Sequence, residues 1–295
     1  MAAKKPDTRI VNRGRGHSYV LDGEPVPGVT TILRDGIPKP QLVGWAARTV
    51  AEYVADGLNV IKMGGVEHVV ADNMVADIEA RNAAATKPKA WKTRLPRTAI
   101  GWTLGGLPYA DRDAAGNRGT EVHGIAEQLT HGEEVEVPEP IAGHVEAYVR
   151  FLDTWQPCDA RTELVVVNRK WGYMGRLDMV ADIDHPRLGR TLADIKTARS
   201  GVFGDVSLQL AGYRYAETTV DETGAEEPMP EVDNCAVIWV RADGYDVIPI
   251  DVTPEHHRVF LYAKQVGEAL KRGEGFVDQS KQEALTPTTP PGATP

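Results

Sequence analysis

Two cysteines in 295 residues, Cys158 and Cys235, are too few for a disulfide framework, a four-cysteine zinc site or an iron–sulfur cluster held by cysteines alone. Both are expected as small, buried apolar side chains. No apolar run approaches the ~18–20 residues that cross a bilayer, and the opening MAAKKPDTR lacks the apolar stretch of a secretory signal. A cytoplasmic protein with no membrane partner is therefore expected. Positive charge is in deficit, with 33 Lys and Arg against 42 Asp and Glu and a formal net charge of −9. That balance argues against coating nucleic acid with the whole surface, while leaving room for a local basic channel. What the chain does have is ordinary: 42% hydrophobic and 25% charged residues supply a core and exclude wholesale disorder.

The length suits one sizeable α/β domain, expected here over residues 1–278 as one core with insertions. HSYVLDGEPVPG reads as a small hairpin around Asp22-Gly23. Thr30 to Leu33 begin a short helix, and after Pro40 the residues Leu42, Trp45, Ala46, Thr49, Val50 and Tyr53 mark one face of another. The alanine-rich stretch from Gly65 to about Ala85 also favours helix. GNRGTEVHGIAEQLTHG reads as a loop and then a helix, with Thr120 as N-cap and Gly132 as stop. A further helix is expected from about Pro140 to Trp155, with Ile141, Val145, Tyr148, Val149, Leu152 and Trp155 as its core stripe.

The period then changes to two, predicting strands in RTELVVVNRKWGYMGRLDMVADID and TLADIKT. DVSLQLAGYRYAETT returns to helical spacing, and the acidic DETGAEEPMPEVD reads as a mobile solvent loop. NCAVIWVRADGYDVIPIDV predicts a hairpin turning at Asp243-Gly244, followed by an amphipathic helix, closing the domain over about 234–273. Residues 279–295 are too polar and proline-rich to pack and are expected as a disordered tail.

Within a helical and basic region of about 40–118, Lys87, Lys92, Arg94, Arg97 and Arg118 are interleaved with Trp91, Trp102 and Tyr109. Cations among aromatic rings suit a strand of nucleic acid, because the charges neutralise phosphates while rings stack on bases. A solvated basic loop with its tryptophans packed inward has the same composition.

The chemistry is concentrated further on, in a core of about 119–217. GRLDMVADI alternates so that Leu177, Met179, Ala181 and Ile183 face one way and Asp178 the other, together with Val180. LADIK places Asp194 and Lys196 on one face and turns Ala193 and Ile195 to the core. A short loop near Pro186 joins the two strands, so antiparallel pairing sets Asp178 and Asp194 opposite or diagonal, within ~5–8 Å. Two close carboxylates call for a cation, and hard oxygen donors favour Mg²⁺ or Mn²⁺. Taken alone, D-x-K also describes a surface salt bridge. His123, with Glu127 one turn later, Glu163 at the start of the first strand, and the pair Gln209 and Tyr213 four residues apart add weight to the metal reading.

In this order, RGTEVH, the glutamate, GRLD, DIK and QLAGY resemble the RecB-like branch of the PD-(D/E)XK nucleases, which includes phage-encoded and CRISPR-associated exonucleases. The resemblance is strongest from His123 to Tyr213. It implies a restriction-endonuclease-like αβββαβ core with a small central mixed sheet and flanking helices. His123, Asp178, Asp194 and the Ile195 carbonyl would be metal ligands, Lys196 the catalytic lysine, Glu163 a further acidic group, and Gln209 with Tyr213 a DNA-contacting pair. The implied activity is hydrolysis of DNA from its ends in phage or bacterial recombination, with single-stranded DNA guided by the basic aromatic segment and a recombination or replication protein as partner. A catalytically weak DNA-end-binding module and an endonuclease acting on DNA or RNA share these motifs. Leu177 stands where the superfamily name has proline, and the cysteine quartet of many relatives is absent, so no iron–sulfur cluster is expected.

Overall fold

The computed structural model describes residues 8–13, 16–55, 58–63, 66–71, 97–199, 201–221 and 224–273, without the side chains of residues 12, 13, 16, 17, 53–107 and 111. Among them the fold is mixed α/β. Three antiparallel strands open the chain, β1 (Arg9–Arg13), β2 (Gly16–Leu21) and β3 (Glu24–Val26). Asp22 and Gly23 turn β2 into β3 with φ of 54° and 88°, the left-handed pair that a tight two-residue hairpin requires. Helices α1 (Val29–Gly36) and α2 (Gln41–Ala55) follow. In α2, Trp45, Ala46, Thr49 and Val50 are half-buried, whereas Leu42 is exposed and drops out of the expected stripe.

Val66–Ala71 is strand β5, paired antiparallel with β4 (Leu58–Met63), where the sequence favours helix. Three valines in six residues make the difference, since β-branched side chains suit a pleated ribbon. Residues 72–85 of that expected helix lie outside the described residues.

Helix α3 (Arg97–Thr130) also departs from expectation, because the GNRG segment is helical and not a loop. Thr120 sits mid-helix, its hydroxyl donating to the Gly116 carbonyl at 3.1 Å instead of capping. Gly119 lies close to Thr197, where a Cβ would stand 3.3 Å from the threonine hydroxyl. Gly132, with φ of 75°, closes the turn after α3 as the sequence indicates.

A short 3₁₀ turn (Glu139–Ile141) leads into α4 (Ala142–Trp155). Its stripe is buried at Ile141, Val145 and Tyr148, but Val149 faces solvent. Strands β6 (Cys158–Asn168), β7 (Tyr173–Ile183) and β8 (Gly189–Lys196) then form an antiparallel run, followed by α5 (Asp205–Arg214), the short pair β9 (Thr218–Val220) and β10 (Glu226–Pro228), the hairpin β11 (Asn234–Arg241) and β12 (Gly244–Ile250), and α6 (Pro254–Gly273). The large sheet runs β10-β9-β6-β7-β8-β11-β12, and β8 with β11 is its parallel pair. It is mixed as expected, yet larger than a small central sheet, because both edges are extended.

One extension comes from the acidic segment expected as a mobile loop. Glu226–Pro228 pairs with Thr218–Val220, and Arg169 and Arg161 neutralise Glu226 and Glu227. At the other edge the β11–β12 turn is Ala242-Asp243, one residue earlier than expected, with Arg241 opposite Gly244. Cys235 is buried, but Cys158, at the exposed start of β6, is not. The tail 279–295 lies outside the described residues.

Helices cover both faces of the large sheet. On one, Val29, Ile32 and Leu33 of α1, Leu210 and Tyr213 of α5 and Phe260 of α6 pack on Val166, Leu177, Val180, Leu192 and Val237. On the other, Ala126 of α3 and Tyr148 and Phe151 of α4 pack on Met179, Ala181, Ala193, Ile195 and Ile238. Burying each large apolar side chain completely contributes roughly 1.5–3 kcal/mol. Leu177 therefore belongs to a different face from Met179 and Ala181, contrary to simple alternation along β7. The alternation reverses beside Asp178, where the facing residue of β6, Glu163, has φ of 51°. A residue with a side chain rarely adopts that conformation, although the pairing keeps its register from Thr162–Met179 to Leu164–Leu177.

Candidate metal and nucleic-acid site

The reversal delivers side chains from three elements to one crevice. Asp178 on β7 meets His123 on α3, with Oδ1 3.4 Å from Nδ1, and Glu163 on β6 joins them. One ligand atom from each of the three lies within 4.8 Å of the other two. Glu127, Thr130, Tyr148, Thr162, Met179 and Ile195 complete the walls of a cleft of about 10 Å³, room for about one water or ion. Glu163 also holds the Arg176 guanidinium at 2.7 Å, a partner that the sequence reading missed although GRLD contains it.

Continuing the β7–β8 register would set Asp178 opposite Asp194, but the ladder ends at Met179 and Ala193. Beyond that point Asp178 Oδ2 accepts the Ile195 amide at 2.6 Å. Asp194 points to the other face of β8, as its spacing from Ile195 dictates, and is only 2% exposed. Its Oδ1 accepts from Gln209 Nε2 at 2.8 Å, while Lys196 Nζ stands 2.7 Å from Oδ2, off the hydrogen-bonding direction. Gln209 further accepts from Lys196 at 3.1 Å and donates to the Tyr213 hydroxyl at 3.2 Å. The two residues four apart on α5 thus hold the carboxylate and ammonium of the DIK strand in place.

The electrostatics follow from burial and crowding. Burial works against charge on His123, but Asp178 outweighs it and lifts the imidazole to about 9. Asp178 is itself held below the usual carboxylate range, as His123, Lys196 and the Ile195 amide overcome its burial. Burial pushes Asp194 up to about 6, against the pull of Lys196 and with the help of Asp178. Glu163 is raised by burial, Arg176 opposing and Asp178 and Glu127 adding to the rise. An imidazole and two carboxylates brought this close are the donor set that a divalent cation can take.

Of the residues expected at the site, His123, Glu163 and Asp178 converge, and Ile195 lines the same cleft. Asp194, Lys196, Gln209 and Tyr213 form a contiguous network beside it, so Glu163 is closer to the His123–Asp178 pair than its weak sequence signal indicated, and Asp194 belongs to the adjoining group. Arg118 lies on α3, five residues before His123. Arg97 begins α3, its side chain outside the described set, and Lys87, Trp91, Lys92 and Arg94 lie outside the described residues.

No protein-family model and no curated protein matches this sequence. Among solved structures, one titled "Crystal structure of SSO0001" is similar over 45% of this chain and 62% of its own, at 15% identity and a TM-score of 0.27. The chain thus spans less than two thirds of that structure's length.

Proposed function

We propose that this chain is a divalent-metal-dependent nuclease of the PD-(D/E)XK kind, hydrolysing phosphodiester bonds of DNA, with His123, Glu163 and Asp178 as the primary cation ligands. The observation that carries this reading is the convergence of an imidazole and two carboxylates within 4.8 Å beside a buried Asp194–Lys196 pair. The element order α4, β6, β7, β8, α5 and β11, with β11 joining β8 in parallel, supports a restriction-endonuclease-like core.

A magnesium or manganese ion held there would supply the Lewis acidity that polarises a phosphate and acidifies a water. Asp178 fixes the Ile195 backbone at the cleft through its second oxygen, so one carboxylate both offers a ligand atom and sets the strand that carries Lys196. Lys196, held by Asp194 and Gln209, presents an ammonium that would offset negative charge developing on phosphate oxygens. Ile195 is proposed as a backbone ligand and Gln209 with Tyr213 as positioning residues for Asp194 and Lys196.

The test is cleavage of end-labelled linear single- and double-stranded DNA, beside a covalently closed circle and matched RNA, with Mg²⁺, Mn²⁺ or EDTA. Metal-dependent loss of linear DNA, absent in Asp178→Asn, is the expected result, and sparing of the circle would define an exonuclease. Retained DNA binding without cleavage in any metal would replace this reading with a DNA-end-binding module.

A further inference from the structure

Tyr148 belongs to the core stripe of α4, and its ring does what that position requires. It is 1% exposed and packs with Ala126, Phe151, Met179 and Ile195, the Phe151 ring centroid 5.5 Å away. Its hydroxyl has a different setting. The oxygen lies 2.8 Å from Oγ1 of Thr130, the last residue of α3, and Tyr148 and Thr130 both wall the cleft into which His123, Glu163 and Asp178 converge. A core side chain therefore ends in a polar atom beside the proposed metal ligands.

The hydrogen bonds fix the direction in which the phenol proton points. A threonine hydroxyl carries a single proton, and Thr130 donates its own to the Ala126 carbonyl at 2.7 Å, an atom that can only accept. Thr130 is therefore the acceptor in its contact with Tyr148, and Tyr148 the donor. Burial lifts the Tyr148 pKa to about 12, Thr130 opposing and Asp178 adding to the rise, so the phenol keeps that proton at neutral pH. No other described residue bonds to the Tyr148 hydroxyl. With its proton committed to Thr130, the oxygen has lone pairs alone to offer the cleft.

An oxygen that only accepts does not suit a phosphate, whose oxygens also only accept, and does suit a donor. The cleft, of about 10 Å³, admits about one water. A magnesium ion bonds its ligands at ~2.0–2.1 Å and keeps several waters. Held among ligand atoms that lie within 4.8 Å of one another, it would leave the water-sized space to one of those waters. Water on a dication is a strong donor, because the cation withdraws charge from its oxygen.

Resting on the metal site of the nuclease reading, we propose that Tyr148, with its proton held by Thr130, is a positioning residue whose oxygen accepts a hydrogen bond from a cation-bound water in the cleft of His123, Glu163 and Asp178. The hydroxyl orients that water, steadies the ion through it and makes no contact with DNA.

The experiment is calorimetric titration of the full chain with Mn²⁺ in the absence of DNA, for wild type, Tyr148→Phe, Thr130→Val and Thr130→Ser, each shown by thermal melts to be folded. Tyr148→Phe keeps the ring and deletes the acceptor. Thr130→Val leaves Tyr148 whole but frees its proton to turn into the cleft, so a loss shared by the two variants does not come from ring packing. Both are expected to bind Mn²⁺ roughly tenfold more weakly, the usual cost of removing a group that supports a metal from outside its ligands. Thr130→Ser keeps the hydroxyl and should keep wild-type affinity. The KM for a single-stranded oligonucleotide at saturating Mn²⁺ should be the same in all four. Wild-type Mn²⁺ affinity in either Tyr148→Phe or Thr130→Val overturns the role of Tyr148 alone, and so does a raised KM in Tyr148→Phe, which would give the hydroxyl to the DNA. No Mn²⁺ binding by wild type overturns the nuclease reading as well. The expected affinity losses in a chain that cleaves neither DNA nor RNA would sink the nuclease reading and leave the water site standing.

Discussion

Asp178 Oδ2 accepts the backbone amide of Ile195 at 2.6 Å, at the place where the β7–β8 ladder has stopped. In a continued ladder that amide would face the carbonyl of Leu177. A side chain has taken over a backbone role, which frees the strands to splay and opens the cleft where the other Asp178 oxygen meets His123. Site and sheet are therefore coupled through one carboxylate.

That dual role separates two substitutions at one position. Asp178→Asn keeps an oxygen for the Ile195 amide and loses the ion pair with His123, so its melting temperature should fall less than that of Asp178→Ala. Its Mn²⁺ affinity, measured by calorimetry, should fall more than tenfold and its nuclease activity should vanish. Asp178→Ala leaves the amide unpaired and should cost a further ~1–3 kcal/mol in urea unfolding. Equal stability of the two variants would refute the ladder role.

Asp194 and Lys196 should respond asymmetrically. Asp194→Asn leaves the ammonium without its charge partner and should cost ~1–3 kcal/mol, less than a fully buried pair because Lys196 keeps 27% of its side chain exposed. The sequence places Asp194 opposite the core-facing Ala193 and Ile195, whereas the structure buries it to 2% exposure. Lys196→Ala leaves a carboxylate already raised to about 6 by burial, and removing the cation raises it further. A group raised above its unfolded value favours the folded state at low pH, so Lys196→Ala should approach wild-type stability at pH 5 and fall below it as pH rises past 6. Urea melts at pH 5, 6 and 8 check both.

His123 gives a pH dependence of opposite chemical origin. Despite burial, Asp178 raises its pKa from 6.5 to about 9 in the folded chain. The stabilisation is complete below about 6.5 and is lost as pH rises through about 9. In EDTA, the melting-temperature gap between wild type and His123→Gln should narrow over that window. A gap that widens would invert the assignment.

Gly175, at the start of GRLD, has no room for a side chain: a Cβ would lie 2.7 Å from a Tyr213 ring carbon and 2.9 Å from Val29 Cγ2. Gly175→Ala should cost ~1–3 kcal/mol by overpacking and displace Tyr213, loosening Gln209 from Asp194 and Lys196. Cleavage should drop at least tenfold while Mn²⁺ still binds, since His123, Glu163 and Asp178 are untouched. Unchanged activity would remove Tyr213 from the network.

Much of this was legible from local pattern. Period two in GRLDMVADI and TLADIKT identified β7 and β8, although helices bury both faces of the sheet, and the i, i+2 spacing put Asp194 and Lys196 on one side of their strand. Asp22-Gly23 specified its hairpin because few residues tolerate positive φ. The four-residue spacing of Gln209 and Tyr213 was equally plain, since an α-helix brings such positions together.

What the sequence by itself determined, then, is which residues share a face within each element, a consequence of helical and pleated geometry acting over a few residues. Only the tertiary structure decided which elements meet. The GNRG segment lies within a long helix, and the acidic segment is an edge strand whose glutamates Arg161 and Arg169 neutralise. Alternation fails beside Asp178, where Glu163 takes a left-handed backbone, and Glu163 meets His123 and Asp178 there. Local periodicity carries no record of contacts from distant parts of the chain, and the meeting of His123, Glu163 and Asp178 from three elements depends on those contacts.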